Sequence, residues 1–154
     1  ILDGGTCGVG LESTVIGFEG NEVIVHRLGG LQLEQIEEVI GEKVKVQLNQ
    51  SSNPSAPGML KSHYSPGKPV VIGDIGAELP KHENAGVISF NQDFGIKHQV
   101  ILSPNGDLSE AAAGLFAALR KMKESEVSLI LTQKFPDIGL GRAINDRLQR
   151  AAAK

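Results

Sequence analysis

Glycine-rich stretches are the first places in this chain where the residue types could bind a ligand. Residues 1–10 contain several closely spaced glycines, and a glycine-rich loop can cradle phosphate groups with its backbone N–H groups. The known phosphate-binding fingerprints also need a following helix, and the Walker loop needs a Lys-Ser/Thr pair. Here a β-rich run from Leu11 to Phe18 follows instead. Turn formation is therefore the preferred interpretation of these glycines.

A second glycine pair, Gly139 and Gly141, precedes an apolar helical pattern and could bind an anion at the helix N-terminus. Ile144 stands where the dinucleotide fingerprint requires its third glycine, so the fingerprint fails. Three polar residues follow at once and are candidates for contacts between domains: Asn145, Asp146 and Arg147.

A proline-rich stretch, residues 55–68, carries the third group of candidates. Prolines fix φ and bias the preceding residue toward extended geometry, so this stretch is predicted to be a semi-rigid linker. It contains Tyr64, the only tyrosine of the chain, whose ring needs an apolar surface and whose hydroxyl needs a hydrogen-bond partner. We therefore expect the linker to lie against another part of the protein. His63 precedes Tyr64, and a histidine in such a loop is more often structural than catalytic.

Periodicity places these stretches on an α/β framework. Two β-rich runs around Gly20-Asn21 predict a hairpin, and residues 31–40 have helical spacing before Gly41. A short strand is expected at 44–46. Beyond residue 69, the pattern predicts strands at 70–72, 85–90, 98–102 and 128–132, with helices from Asp107 to about Glu124 and over 140–151. Asp107 and Glu110 have the spacing of a helix cap. This alternation favours a largely parallel sheet, and the polar segment 47–53 suggests domain limits of 1–48, 49–68 (the linker) and 69–154.

Bulk properties exclude several classes of function. The 154 residues carry a formal net charge of −3, which gives no electrostatic footprint for nucleic acid. No stretch approaches the length of apolar sequence that spans a membrane. The single Cys7 excludes an internal disulfide and favours a cytoplasmic location. The histidines are scattered and predict no metal site. Because the chain starts at Ile1 without a methionine, we expect it to be truncated.

The linker motif resembles that of a known family. Residues 57–66, Pro-Gly-Met-Leu-Lys-Ser-His-Tyr-Ser-Pro, are similar to the pattern P-G-M-x-x-x-H-Y-x-P of the Sua5 family, the two-domain threonylcarbamoyl-AMP synthases. Residues 10–15 resemble the G-x-x-S-T-V segment near the end of the family's YrdC-like domain, and residues 139–152 resemble its closing helix. The resemblance implies the end of a YrdC-like α/β domain followed by a Rossmann-like three-layer Sua5 domain.

The resemblance also implies roles for particular residues. Ser13 would contact L-threonine, Arg27 and Tyr64 would contact the nucleotide, and His63 is a weaker candidate for the nucleotide. A hydroxyl can donate to a carboxylate and accept from an amine, and a guanidinium pairs with phosphate oxygens. From the residues alone, the alternative is that Ser13 is a solvent-facing strand residue and Arg27 a surface charge. No catalytic residue is assigned. The family often has Arg-Pro-Gly where this chain has Arg27-Leu28-Gly29.

The implied activity is L-threonylcarbamoyladenylate synthesis from L-threonine, bicarbonate and ATP, with Mg²⁺ on the triphosphate, for the t6A37 modification of tRNA. A separate tRNA threonylcarbamoyl transferase would use the product. The resemblance places the family's Lys-x-Arg and Ser-x-Asn active-site motifs before Ile1, so these 154 residues alone are expected to be inactive. Two alternatives remain: a non-catalytic regulatory module that binds a small ligand, and an interaction domain whose linker docks on a partner.

Overall fold

The structure, a computed structural model, describes residues 2, 5, 8–48 and 64–153. The strands of these residues form two sheets, one of three strands and one of four. The first sheet and its helix comprise β1 (Val15–Glu19), β2 (Glu22–Arg27), α1 (Leu33–Ile40) and β3 (Lys45–Val46). The remaining elements are β4 (Val70–Ile72), α2 (Ile75–Glu78), β5 (Ala85–Ser89), β6 (Gln99–Ile101), α3 (Leu108–Glu124), β7 (Leu129–Thr132) and α4 (Leu140–Ala152).

The three-stranded sheet is built on the predicted hairpin. β1 and β2 pair antiparallel, with Phe18 opposite Val23, and Gly20 makes the turn in the left-handed region at φ 62°. β3 pairs parallel to β2. Helix α1 ends as predicted at Gly41, whose N–H donates to the carbonyl of Glu37. The hairpin, the helix and the short strand of the sequence interpretation are therefore confirmed.

The four-stranded sheet is parallel throughout, in the order β4-β7-β5-β6. Helices α3 and α4 cover one face, where Leu115, Leu119 and Ile144 join strand residue Ile130 in the largest buried cluster. The other face is covered by α2 and by a loop that contributes partly buried apolar side chains. These three layers confirm the predicted Rossmann-like arrangement. Sequence patterning did not predict α2, which has only four residues.

Helix α3 begins at the predicted cap residue with one difference. The Asp107 carboxylate accepts from the N–H groups of Ser109 at 2.6 Å and Glu110 at 3.4 Å. The Glu110 carboxylate accepts from the hydroxyl of Ser103 at 2.6 Å, and that hydroxyl oxygen accepts from the Asp107 N–H at 2.7 Å. The Ser103 hydroxyl thus bridges the Asp107 N–H and the Glu110 carboxylate, which the spacing of Asp107 and Glu110 did not predict.

Helix α4 begins in a loop that is fixed by Asn145. The Asn145 amide accepts from the Phe135 N–H at 2.8 Å and donates to the Phe135 carbonyl at 3.0 Å, and all of these atoms are buried. A side chain at Gly141 would overlap the carbonyl oxygen of Pro136. Close packing therefore accounts for Gly141, and Asn145 holds its own loop instead of joining two domains.

Helix α4 also packs on the smaller unit, which consists of β1, β2, α1 and β3. Ala143 shares a buried cluster with Val25, Leu28 and Ile36. The Arg142 guanidinium donates to the carboxylate of Glu34 on α1 at 2.6 Å. The α4 helix is therefore in contact with both the parallel sheet and the smaller unit.

Candidate substrate-binding site

Residues 12–14, which include Ser13, are held against residues 30 and 31 by hydrogen bonds. On one side, the Gly30 N–H donates to the carbonyl of Glu12 at 2.9 Å. On the other side, the Thr14 hydroxyl donates to the Leu31 carbonyl at 2.6 Å and accepts from the Leu31 N–H at 3.1 Å. Ser13 lies between these attachments, exposed, and it precedes β1 instead of belonging to a strand. The interpretation of Ser13 as a strand residue is wrong, although its exposure agrees with that alternative.

Arg27, the last residue of β2, is bound directly to Ser13. Its Nε and Nη2 donate to the Ser13 carbonyl at 3.0 and 2.8 Å, and Nη2 also donates to the Ser13 hydroxyl oxygen at 3.0 Å. Arg27 is only 8% exposed, so the alternative of a surface charge is wrong. The structure therefore brings together two residues that the family resemblance assigned to different substrates.

Tyr64 is the first described residue after the gap at 49–63, and it packs as the sequence predicted. Its ring lies 5.3 Å from the ring of Phe116 on α3, and Tyr64 is among the residues packed against the largest cluster. Its φ of 65° is unusual for a residue other than glycine. The apolar surface expected for Tyr64 is confirmed, whereas His63, Met59 and Leu60 lie outside the described residues.

Glu12 connects Tyr64 to helix α4. Burial raises the pKa of the Glu12 carboxyl, but the neighbouring Tyr64 phenol and the charge of Arg147 outweigh it, so the pKa of Glu12 is lowered overall. Burial and the Glu12 carboxylate together raise the pKa of Tyr64 to about 12. The phenol is therefore neutral and the carboxylate ionised across the physiological pH range.

We expect the phenol of Tyr64 to ionise well above the ordinary tyrosine pKa of ~10. Since the chain contains one tyrosine and no tryptophan, ultraviolet absorbance reports this residue alone. Denatured protein should titrate near pH ~10. Because the folded pKa is raised, the stabilisation from this phenol is complete below ~10 and is lost as the pH rises toward about 12.

Glu12→Gln should lower the pKa of Tyr64 because it removes a carboxylate that opposes phenolate formation. Glu78→Gln is the control, since Glu78 is bonded to Lys81 in the short helical segment after β4. A folded-state Tyr64 pKa that is unchanged by Glu12→Gln would show that the two side chains do not interact.

Arg147 was not predicted as part of the site. It is fully buried, and its Nε donates to Glu12 at 3.0 Å, its Nη1 to Asp146 at 2.6 Å and its Nη2 to the Leu28 carbonyl at 2.8 Å. Its guanidinium carbon lies 5.2 Å from the centre of the Tyr64 ring. Of the three residues suggested as contacts between domains, Arg147 contacts residues 12 and 28, while Asp146 bonds to arginines of its own helix.

A signal for Arg147 does exist in the sequence. The residue lies three positions after Ile144 and four before Ala151, so it falls on the buried face of α4. A charge at such a position needs buried partners. Periodicity alone does not identify Glu12 and Leu28 as partners, because they lie more than a hundred residues away from Arg147.

Neither a metal site nor a membrane-spanning helix is present among the described residues. Among residues 8–48 and 64–153, no group of three or more histidine, cysteine or acidic residues is arranged to hold a metal ion. In the same part of the chain, none of the helices is both long and apolar enough to cross a bilayer.

The fold and the site together define an α/β protein in which the smaller unit and the parallel sheet with its helices meet around a serine, two arginines and a tyrosine. Comparison with known families specifies this class further. The model of the threonylcarbamoyl-AMP synthase C-terminal domain family matches residues 31–153, and the chain belongs to that family. The resemblance noted in the sequence is thereby confirmed.

Similar proteins cover nearly the whole chain. The chain is 36% identical to threonylcarbamoyl-AMP synthase of Bacillus subtilis and 34% identical to that of Pyrococcus abyssi, over 99% of its own length and 48% of theirs. It therefore spans about half the length of these relatives. The crystal structure of P. abyssi Sua5 with L-threonine is similar over 97% of this chain and 48% of that one, with a TM-score of 0.83 and 31% identity.

A second P. abyssi Sua5 structure, of a variant with a histidine and the adjacent tyrosine replaced by alanine, covers 97% of this chain and 47% of its own. Its TM-score is 0.81 at 30% identity. Both structures agree with the mixed α/β fold described above.

Proposed function

We propose that this chain is part of an L-threonylcarbamoyladenylate synthase. In that reaction the amine of L-threonine is carboxylated by bicarbonate with loss of water. A carbamate oxygen then bonds to the α-phosphorus of ATP and displaces pyrophosphate. The products are threonylcarbamoyl-AMP, pyrophosphate and water. The limits 1–48, 49–68 and 69–154 are proposed for the catalytic-domain part, the linker and the Sua5 domain.

The contact between Arg27 and Ser13 is the observation that carries this proposal. Arg27 ends a strand, is nearly buried, and donates to both oxygens of Ser13. Ser13 would accept from the threonine amine or donate to its carboxylate. Arg27 would pair with phosphate oxygens of the nucleotide. Since the reaction joins threonine to an adenylate, the two residues must lie close together, and they do.

Tyr64 would border the nucleotide at the end of the linker, with His63 beside it as the weaker candidate. The family resemblance implies that the linker excludes water from a mixed anhydride that water can hydrolyse, and residues 49–63 of that linker lie outside the described residues. Mg²⁺ would be carried by the ATP triphosphate as part of the substrate. The product would pass to a tRNA threonylcarbamoyl transferase in the cytoplasm, with no direct contact between this chain and tRNA.

The regulatory alternative has one observation in its favour. A cleft of about 220 Å³ lies at the carboxyl edge of the parallel sheet, lined by Asp74, Gln92, Gln133 and neighbouring residues. Open α/β sheets commonly bind ligands at this edge. If the chain is a regulatory module, a small ligand should bind in this cleft and no pyrophosphate should be released.

The test joins the first half of the B. subtilis relative to residue 1 of this chain. The resulting fusion protein should release pyrophosphate from ATP only when threonine and bicarbonate are both present, whereas the 154 residues alone should not. The B. subtilis enzyme is the positive control. A folded fusion protein without this activity would contradict the proposal, as would turnover by the 154 residues alone.

A further inference from the structure

Arg147 contacts the sequence neighbours of both candidate binding residues from a separate helix. It donates to Glu12, which precedes Ser13, and to the carbonyl of Leu28, which follows Arg27. We infer that Arg147 is a positioning residue that holds the threonine-binding and nucleotide-binding groups in register. This inference rests on the proposed function and extends it to helix α4.

The guanidinium of Arg147 is suited to this task because it is planar and its donors point in fixed directions. Each of its three nitrogens has a partner within 3.0 Å: Glu12, Asp146 or the Leu28 carbonyl. The side chain is fully buried, so water does not compete for these donors. Two backbone segments are therefore fixed relative to α4 by one rigid group.

Tyr64 extends the arrangement to the end of the linker. The Tyr64 ring centre lies 5.2 Å from the guanidinium carbon of Arg147, and the Glu12 carboxylate helps to raise the pKa of the Tyr64 phenol. A non-glycine residue persists in the left-handed region only when its surroundings enforce that conformation. Arg147, Glu12 and Phe116 provide those surroundings. A displacement of Arg147 would consequently disturb the linker end together with residues 12 and 28.

A purely structural ion pair would behave differently from a positioning residue. Breaking a buried ion pair destabilises a protein whatever its function, so loss of stability does not separate the two roles. A positioning role requires that catalytic parameters change in variants that remain folded. A misplacement of about 1 Å at a distance from the chemistry can lower a rate about 100-fold.

The experiment compares Arg147→Lys and Arg147→Met in the fusion protein, at a temperature where both are folded. Lysine keeps the charge and does not reproduce the three fixed donors. We expect kcat/KM for threonine and for ATP to fall about 10- to 100-fold in both variants. Arg142→Met is the matched control: Arg142 also joins α4 to the smaller unit, but its ion pair is with Glu34 on α1, away from Ser13 and Arg27 in the sequence.

Glu12→Gln is the second variant in case the arginine variants do not fold. It keeps the size of the side chain and weakens the same contact, so kcat/KM should fall in the same direction. The double variant with Arg147→Lys should lose less than the product of the two single losses, because the residues act as a pair. The inference is overturned if Arg147→Lys and Glu12→Gln both fold and keep the parent kcat/KM within about twofold.

A readout that does not depend on activity separates this inference from the proposed function. In the 154-residue chain, Arg147→Lys should shift the amide NMR signals of Ser13 and Arg27, and Arg142→Met should leave them in place. If the fusion protein is inactive but these signals shift, the proposed function fails while the positional coupling stands. Unshifted signals in a folded Arg147→Lys chain contradict the inference directly.

Discussion

Replacing Arg27 with methionine in the fusion protein should lower kcat/KM for ATP about 100- to 1,000-fold, equivalent to about 2.7–4 kcal/mol of transition-state stabilisation. The substitution removes the guanidinium proposed to bind phosphate, and a charged donor in a water-poor site is worth more than one in solvent. It also removes three hydrogen bonds to the carbonyl and hydroxyl oxygens of Ser13. Affinity for threonine should therefore fall with affinity for ATP.

Steady-state pyrophosphate release with each substrate varied in turn measures this effect. Arg27→Lys should be intermediate, since lysine keeps the charge but not the paired geometry. Arg142→Met should stay close to the parent because it removes only a partly exposed ion pair with Glu34. An Arg27→Met protein that keeps parental kcat/KM for ATP would remove Arg27 from the nucleotide site.

Gly29→Ala should damage the site although it changes none of the proposed binding side chains. A methyl group at Gly29 would overlap the backbone of residues 12–14, the segment that presents Ser13. Backbone atoms cannot rotate away as the end of a flexible side chain can. We expect a loss of about 1–3 kcal/mol in the free energy of unfolding, and a large loss of threonine affinity as the segment is pushed outward.

Urea unfolding of the chain and calorimetric titration of the fusion protein with threonine measure the two effects. Gly8→Ala is the matched control, because Gly8 lies close in sequence to residues 12–14, has no neighbour within 4 Å and does not need a positive φ. Its stability should change by less than about 1 kcal/mol. Equal effects of the two substitutions would show that Gly29 is not in close contact with residues 12–14.

Local sequence signals predicted the elements of the fold well. The Gly20-Asn21 turn, the helix stop at Gly41 and the cap at Asp107 depend on residues near in sequence, and each was placed correctly. The four apolar strands after residue 69 followed from short hydrophobic runs. The strand order could not be predicted, because pairing depends on contacts between segments up to about sixty residues apart.

The candidate site was predicted only in part. Ser13, Arg27 and Tyr64 came from the family motif, and the hydrogen bonds between Ser13 and Arg27 could not be derived from either residue alone. Glu12 and Arg147 were missed as a pair because their ion pair spans 135 residues. A buried arginine in an apolar helical stripe indicates that a partner exists, while identifying that partner requires the folded chain.

The strand order has a consequence for how the protein is synthesised. β4 pairs with β7, and β7 also pairs with β5. The strand that joins β4 to β5 is therefore missing until residue 132 has left the ribosome. Before then, both edges of β4 are open and can pair with other chains, whereas in the complete sheet only one edge is open. Helix α4 follows β7, so Arg147 reaches residues 12 and 28 later still. The hydrogen bonds from Arg147 to Glu12 and Leu28 are thus among the last contacts formed. A chain terminated before β7 would lack them.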